Sequence, residues 1–204
     1  MKPVLKVCGV RRAADADLAV ALGARFVGCV LAADSPRCAT HTEVERIRDA
    51  VRGRAEVVLV FRDADPTTIG ASCERTGVRR VQPVGADAAS LTALYAAGLV
   101  VHRVVAVAPE TTALPAFAPP AGHHAPAVLD VGRGGTGRSF DWTLLADGAP
   151  PATLIAGGID PHNVTTLLRY EPYGIDVSSG IETAPGVKDA GALRQLCAAL
   201  EATS

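Results

Sequence analysis

Short runs rich in β-branched residues alternate with Ala/Leu-rich amphipathic stretches along the chain. Such compact apolar runs suit strands buried on both faces of a parallel sheet. The pattern predicts strands at Val4–Cys8, Phe26–Leu31, Val57–Phe61, Arg80–Gln82, Val101–Val107, Ala127–Asp130, Thr153–Ala156 and Gly174–Val177. Between them it predicts helices at Ala13–Leu22, Thr42–Arg52, Pro66–Arg75, Ala88–Ala96, Trp142–Ala146, Pro161–Tyr170 and Lys188–Ala202.

Local chemistry marks several boundaries. Thr42 with Glu45 three residues on reads as a capping box. Asp65-Pro66 and Asp160-Pro161 each read as a cap followed by a first-turn proline. Gly23, Gly77 and Gly98 follow helices, where a left-handed residue ends the last turn.

Eight strand-like runs separated by helical connections in 204 residues imply a single domain, 1–204, folded as an α/β protein of the (β/α)₈-barrel type. The rival, an open doubly wound sheet, often carries a G-x-G-x-x-G turn after its first strand. Here that strand ends Cys8-Gly9-Val10-Arg11. Pro109, Pro115, Pro119, Pro120 and Pro126 crowd the connection after the fifth strand. Proline removes helix donors and clashes with the preceding turn, so the fifth helix is expected to be reduced or absent.

Apolar residues make up 49% and charged residues 20%, a globular balance with an aliphatic core. The net charge is −1 with no basic stripe, which argues against a nucleic-acid partner. No apolar run reaches the roughly 18 residues of a membrane span. Cys8, Cys29, Cys38, Cys73 and Cys197 are odd in number and include no Cys-x-x-Cys pair, and the charged N-terminus lacks a signal-peptide pattern. We therefore expect free thiols and a cytoplasmic location. No long apolar surface stripe stands out, and a monomer is expected. None of His41, His102, His123, His124 and His162 has metal-ligand spacing, and no Walker-type loop or serine elbow occurs. Neither a metal nor an organic cofactor is expected.

In a barrel, chemistry sits where strands end and βα loops begin. Strand six ends at Asp130, followed by Gly134-Gly135 in a glycine-rich loop. Strand seven ends at Gly157-Gly158 and strand eight at Ser178-Ser179-Gly180. Glycines let backbone N–H groups approach an anion, and three such loops side by side read as a phosphate cradle. Asp130 shares a face with Val128, so its carboxyl would be desolvated at the barrel mouth, raising its pKa and suiting it to proton donation. Cys8 ends strand one in the corresponding place; a thiol there is either a general base or a small core residue. Arg37, after Ser35-Pro36, is either a carboxylate fork or a solvated surface residue. Lys6 lies two residues before Cys8 and shares its face. Strand eight neighbours strand one in a closed barrel, so Lys6 is expected to pair with Asp176 inside, near Cys8.

These motifs resemble, in order and over nearly the whole chain, the phosphoribosylanthranilate isomerase family of tryptophan biosynthesis. The resemblance rests on Lys6-Val7-Cys8-Gly9, Ser35-Pro36-Arg37, Leu129-Asp130 with Gly134-Gly135-Thr136-Gly137 and Phe140-Asp141-Trp142, Ala156-Gly157-Gly158, and Asp176-Val177-Ser178-Ser179-Gly180-Ile181-Glu182 with Pro185-Gly186-Val187-Lys188-Asp189. It implies an Amadori rearrangement of a small phosphorylated substrate, N-(5-phosphoribosyl)anthranilate. Asp130 would be the general acid, Cys8 the general base and Arg37 the anthranilate-carboxylate holder. The glycine loops would hold the phosphate.

The chain departs from the family where Gln82-Pro83-Val84-Gly85 replaces the usual Gln-Leu-His-Gly, and where Ala32-Ala33-Asp34 lacks a customary aromatic. Both changes bear on affinity and substrate identity. The alternatives are an isomerase of a different phosphoribosylated amine and a phosphate-ligand binder that has lost turnover. The histidine-pathway aminoaldose isomerase carries aspartate where Cys8 stands and is longer.

Overall fold

The computed structural model describes residues 2–108, 110–115, 124–131 and 137–202. Its elements run β1 Val4–Val7, α1 Ala13–Ala21, β2 Ala24–Val30, α2 His41–Val51, β3 Glu56–Arg62, α3 Pro66–Thr76, β4 Arg80–Val84, α4 Ala88–Ala96, β5 Val100–Val101, β6 Val104–Val107, β7 Ala127–Val131 and β8 Thr153–Ala156. They continue with α5 Val164–Leu168, β9 Gly174–Val177, the hairpin strands β10 Glu182–Ala184 and β11 Val187–Lys188, and α6 Ala190–Ala202. A 3₁₀ turn, Trp142–Leu145, stands in place of the predicted sixth helix.

The main sheet is parallel throughout, in the order β5-β4-β3-β2-β1-β9-β8-β7-β6. Its two ends are consecutive pieces of chain separated only by His102-Arg103. The His102 N–H donates to the Val81 carbonyl of β4 at 2.8 Å, and the Arg103 carbonyl accepts from Val128 N–H of β7 at 2.8 Å. The predicted strand Val101–Val107 is thus two pieces that hand over from one neighbour to the other and close a (β/α)₈ barrel. Pro83 supplies a reason for the break. Val81 bonds towards β5, the next donor in that series would be residue 83, and proline has no N–H to give.

The barrel interior follows from strand alternation. Phe26, Val58, Val128, Leu154 and Ala156 form one buried apolar cluster, with Val4 and Val104 packed against it. Lys6, one inward position beyond Val4 on β1, meets Gln82 of β4 and Asp176 of β9 in the interior, all three buried. The opposite faces of the strands, including Leu5, Val7, Leu59 and Ile175, pack outward against the helices.

Some boundaries differ from the sequence expectation. The capping box of α2 is Thr40 with Glu43, not Thr42 with Glu45: Thr40 Oγ1 accepts from Glu43 N–H at 3.1 Å, and the Glu43 carboxylate accepts from Thr40 N–H at 2.6 Å. Both pairs have the same spacing. The earlier start lets His41–Val51 run as one helix burying Val44, Ile47 and Val51.

Asp65-Pro66 and Gly77 bound α3 as expected, with Gly77 at φ +69°. Asp160-Pro161 instead opens a turn. Asp160 accepts from His162 and Asn163 N–H, while Asn163 Oδ1 accepts from Asp160 N–H, and the helix starts at Val164. Lys188 lies in the hairpin rather than in the last helix. Residues 110–115 and 124–126 contain no helix, in line with a reduced fifth helix. Pro109, Pro119, Pro120 and His123 lie outside the described residues.

Candidate active site

At the C-terminal end of the strands lies a cavity of about 320 Å³ lined by Cys8, Arg37, Asp130, Gly157, Ser178 and Asp176 among others. Residues from the ends of β1, β7, β8 and β9 and from the loop after β2 therefore share one space.

Cys8 is set in place by its own N–H, which donates to the Val177 carbonyl at 2.8 Å. Gly28 of β2 lies against it: a Cβ at Gly28 would fall 2.8 Å from Cys8 Sγ. Burial pushes the Cys8 thiol above its ordinary value, and the cations of Lys6 and Lys188 offset this only in part. At neutral pH the resting group is the thiol.

Lys6 and Asp176 are register partners across β1 and β9. Lys6 Nζ donates to Asp176 Oδ2 at 2.5 Å and to Gln82 Oε1 at 2.7 Å. The expected pair is therefore formed inside the barrel, with Gln82 as a third member. Burial opposes the Lys6 charge, but Asp176 and, after it, Cys8 together more than offset it, so the ammonium is held above its usual value. The other carboxylate oxygen, Asp176 Oδ1, is buried with no hydrogen-bond partner among the described residues.

Asp130 Oδ1 accepts from Val131 N–H at 2.7 Å. Burial and the nearby negative charge of Asp176 raise its carboxyl from 3.8 to about 6. A Cβ at Gly157 would lie 3.1 Å from Asp130 Oδ1 and 2.5 Å from the Arg138 carbonyl. Gly157 has φ +94°, so the turn requires glycine in its own right.

Arg37 is neither solvated nor free. Its Nε and Nη2 donate to the Glu182 carboxylate at 2.8–3.1 Å, and its stem passes over Gly9, where a Cβ would lie 2.6 Å from Arg37 Cδ. Glu182 also accepts from Lys188 Nζ at 2.7 Å. Burial alone would raise Glu182, but the hydrogen bonds from Arg37 and Lys188 hold it below the usual carboxylate value.

Of the glycine and serine positions singled out from sequence, Gly157, Gly158, Ser178 and Ser179 line the cavity, joined by Gly137. Gly158 is pressed against the loop after β7: a Cβ there would be 2.9 Å from Gly137 O and Ser139 N. Gly180 is not among the lining residues. It packs against the Ile159 carbonyl, leaving no room for a side chain. Gly134 and Gly135 lie outside the described residues. Gln82 and Val84 also line the cavity, so the departure at Gln82-Pro83-Val84-Gly85 does face the site. Among the described residues no three His, Cys, Asp or Glu side chains are placed to share a metal ion.

Sequence reasoning gave Glu182 and Lys188 no role, although both stand in the motifs that carry the resemblance. The turn dipeptide Pro185-Gly186 between them was the available sign of a hairpin that brings their side chains together.

The fold and the cavity define a class: a (β/α)₈ barrel with a carboxyl of raised pKa and a thiol sharing one pocket at the C-terminal face of the strands. A family model described as N-(5′-phosphoribosyl)anthranilate (PRA) isomerase matches residues 5–199. The chain is 33% identical to the N-(5′-phosphoribosyl)anthranilate isomerase of Methylibium petroleiphilum, over 98% of this chain and 94% of that one. It is 34% identical to the protein of that name from Leptothrix cholodnii, over 96% and 90%. Among solved structures, phosphoribosyl anthranilate isomerase from Thermus thermophilus superposes with a TM-score of 0.83 at 31% identity, covering 98% of this chain and 100% of that one. TrpF from Jonesia denitrificans gives 0.83 at 29%, covering 98% of each. The chain belongs to the N-(5′-phosphoribosyl)anthranilate isomerase family.

Proposed function

We propose that this cavity isomerises N-(5′-phosphoribosyl)anthranilate to 1-(2-carboxyphenylamino)-1-deoxyribulose 5-phosphate, an aldose–ketose rearrangement in tryptophan biosynthesis. The observation that carries the assignment of roles is that Asp130 and Cys8 face one cavity with a glycine-lined wall beside them.

Asp130 is the general acid. With its carboxyl near 6, about a tenth of it is protonated at pH 7, close to the optimum for proton donation. It protonates the ribose ring oxygen. The C1′–O bond breaks as the anilino nitrogen lone pair forms a Schiff base.

Cys8 is the general base. The resting thiol first loses its proton to solvent; the thiolate so formed takes the C2′ proton, and the electron pair neutralises the iminium to give an enolamine. Ketonisation places a proton on C1′ and releases one from the C2′ hydroxyl, so none is consumed overall. Thiolate formation is opposed by burial and assisted by Lys6 and Lys188.

Arg37 receives the anthranilate carboxylate on the guanidinium edge that Glu182 does not occupy. Gly157, Gly158, Ser178 and Ser179, with Gly134 and Gly135, receive the phosphate. Val30, Ala32, Val60 and Val84 offer an apolar wall for the aromatic ring.

The single continuous main sheet supports one domain spanning 1–204. Val100 and Tyr173 are the only large apolar side chains exposed among the described residues, each 37% accessible, which supports a monomer. Free cysteines and the absence, among the described residues, of any helix long and apolar enough to cross a membrane favour the cytoplasm.

Steady-state turnover of phosphoribosylanthranilate, followed by loss of anthranilate fluorescence, tests this reading. Asp130→Asn and Cys8→Ser should each lower kcat by about 10²–10⁴-fold with the circular dichroism spectrum retained. No turnover by the unaltered protein, or near-normal turnover in either variant, would refute it.

A further inference from the structure

Glu182 and Lys188 are paired residues of the hairpin β10–β11. Their side chains are 4% and 0% exposed, so two charges are buried behind Arg37, which itself lines the cavity. Desolvating charge is unfavourable, and apolar side chains would serve stability as well or better.

The bonding pattern is asymmetric. Glu182 Oε1 accepts from Lys188 Nζ at 2.7 Å, Arg37 Nε at 3.1 Å and Gly186 N–H at 3.2 Å. Oε2 accepts from Arg37 Nη2 at 2.8 Å and Nε at 3.0 Å. The carboxylate therefore clamps one edge of the guanidinium in two-point fashion. A guanidinium carries five donors in a rigid plane, and its end edge, Nη1 with the outer Nη2 hydrogen, fits a second carboxylate. Among the described residues no acceptor bonds Nη1, and Arg37 lines the cavity.

The charges matter as much as the bonds. Arg37 and Glu182 alone would form a neutral pair with little pull on an anion. Lys188 supplies a second cation, so the cluster carries one net positive charge. Lys188 Nζ also donates to the Ser178 carbonyl at 3.3 Å, tying the cluster to the loop after β9.

We infer that Glu182 and Lys188 are positioning residues for the substrate's carboxylate: Glu182 fixes the plane of Arg37 with its end edge towards the cavity, and Lys188 cancels the charge of Glu182 so that Arg37 keeps its attraction. This deepens the reading of Arg37 given above and rests on it.

The test compares two ligands, the reduced 2-carboxyphenylamino product analogue and its phenylamino counterpart without the carboxylate. Their dissociation constants are measured in the unaltered protein, Glu182→Gln, Lys188→Met, Lys188→Arg and Arg37→Ala. The unaltered protein should prefer the carboxylated ligand by about ten-fold or more. Glu182→Gln and Lys188→Met should cut that preference several-fold, towards the value in Arg37→Ala. Affinity for the uncharged counterpart should be largely kept, and the kinetic loss should fall on KM more than on kcat. Lys188→Arg should restore the preference.

Equal loss of affinity for both ligands in Glu182→Gln and Lys188→Met would mean a structural role only and overturn the inference. Lys188→Met keeps chain length and decides the matter if Glu182→Gln does not fold. An equal preference in Arg37→Ala and the unaltered protein would instead remove the reading of Arg37 itself.

Discussion

Asp130, proposed above as the general acid, is held in its site at the expense of stability. Its carboxyl rises from 3.8 to about 6 on folding. Between those values the folded chain binds more protons than the unfolded one, so stability falls as pH rises through that window. Above it the penalty is at most about 3 kcal/mol, at about 1.36 kcal/mol per unit. Asparagine removes the charge and can still accept from Val131 N–H. Asp130→Asn should therefore melt at a higher temperature than the unaltered protein at pH 7–8 while losing turnover, and its stability should vary less between about pH 4 and 6. Thermal melts across that range check this; an Asp130→Asn variant less stable at pH 7 would show that the carboxylate is not strained by its site.

At the same scale, alternation alone placed Lys6 and Cys8 on one face of β1 and Asp130 with Val128 on β7, and the cavity contains both Cys8 and Asp130. What alternation could not supply was the state of Arg37. Its partner Glu182 is 145 residues away, and no local pattern encodes such a pair.

Among the elements, the strands were the most legible, because apolar β-branched runs are the direct imprint of burial on both faces. Helix starts were less so. Thr40-x-x-Glu43 and Thr42-x-x-Glu45 offer identical chemistry, and tertiary packing of Val44, Ile47 and Val51 goes with the first. Thr40→Ala should therefore cost about 1 kcal/mol in urea unfolding, whereas Thr42→Ala should be close to neutral. Equal losses would mean that the box is not formed as described.

The fifth strand was read as continuous because Val101–Val107 contains no breaker of its own. The interruption correlates with Pro83, on the neighbouring strand. The hairpin was missed because Lys188 was assigned to a helix that begins at Ala190, and that assignment concealed its pairing with Glu182.

For the molecule as a whole, the barrel brings together ends that are distant in sequence. Lys6, Gln82 and Asp176 come from β1, β4 and β9: Lys6 bonds Asp176 on the neighbouring strand and Gln82 across the lumen, two residues before Cys8. Lys6 and Asp176 of this bar, with Lys188, act on the charge of the thiol. Lys6→Met would leave a buried carboxylate unpaired and should destabilise the fold by about 3–5 kcal/mol in chemical denaturation. A loss below about 1 kcal/mol would show that the bar carries little of the stability. The closed cylinder was legible from the count of strand-like runs. The polar bar was legible only in part: Lys6 with Asp176 follows from strand adjacency, but Gln82 reaches across the lumen.

The central claim is that Cys8 and Asp130 act on one substrate in one cavity, and a double-mutant cycle on turnover of phosphoribosylanthranilate tests it most directly. Groups that serve one reaction path are not additive, so Cys8→Ser with Asp130→Asn should fall no more than about ten-fold below the worse single variant, each single variant already being down by about 10² or more. Turnover within about three-fold of the unaltered protein in either single variant would contradict it.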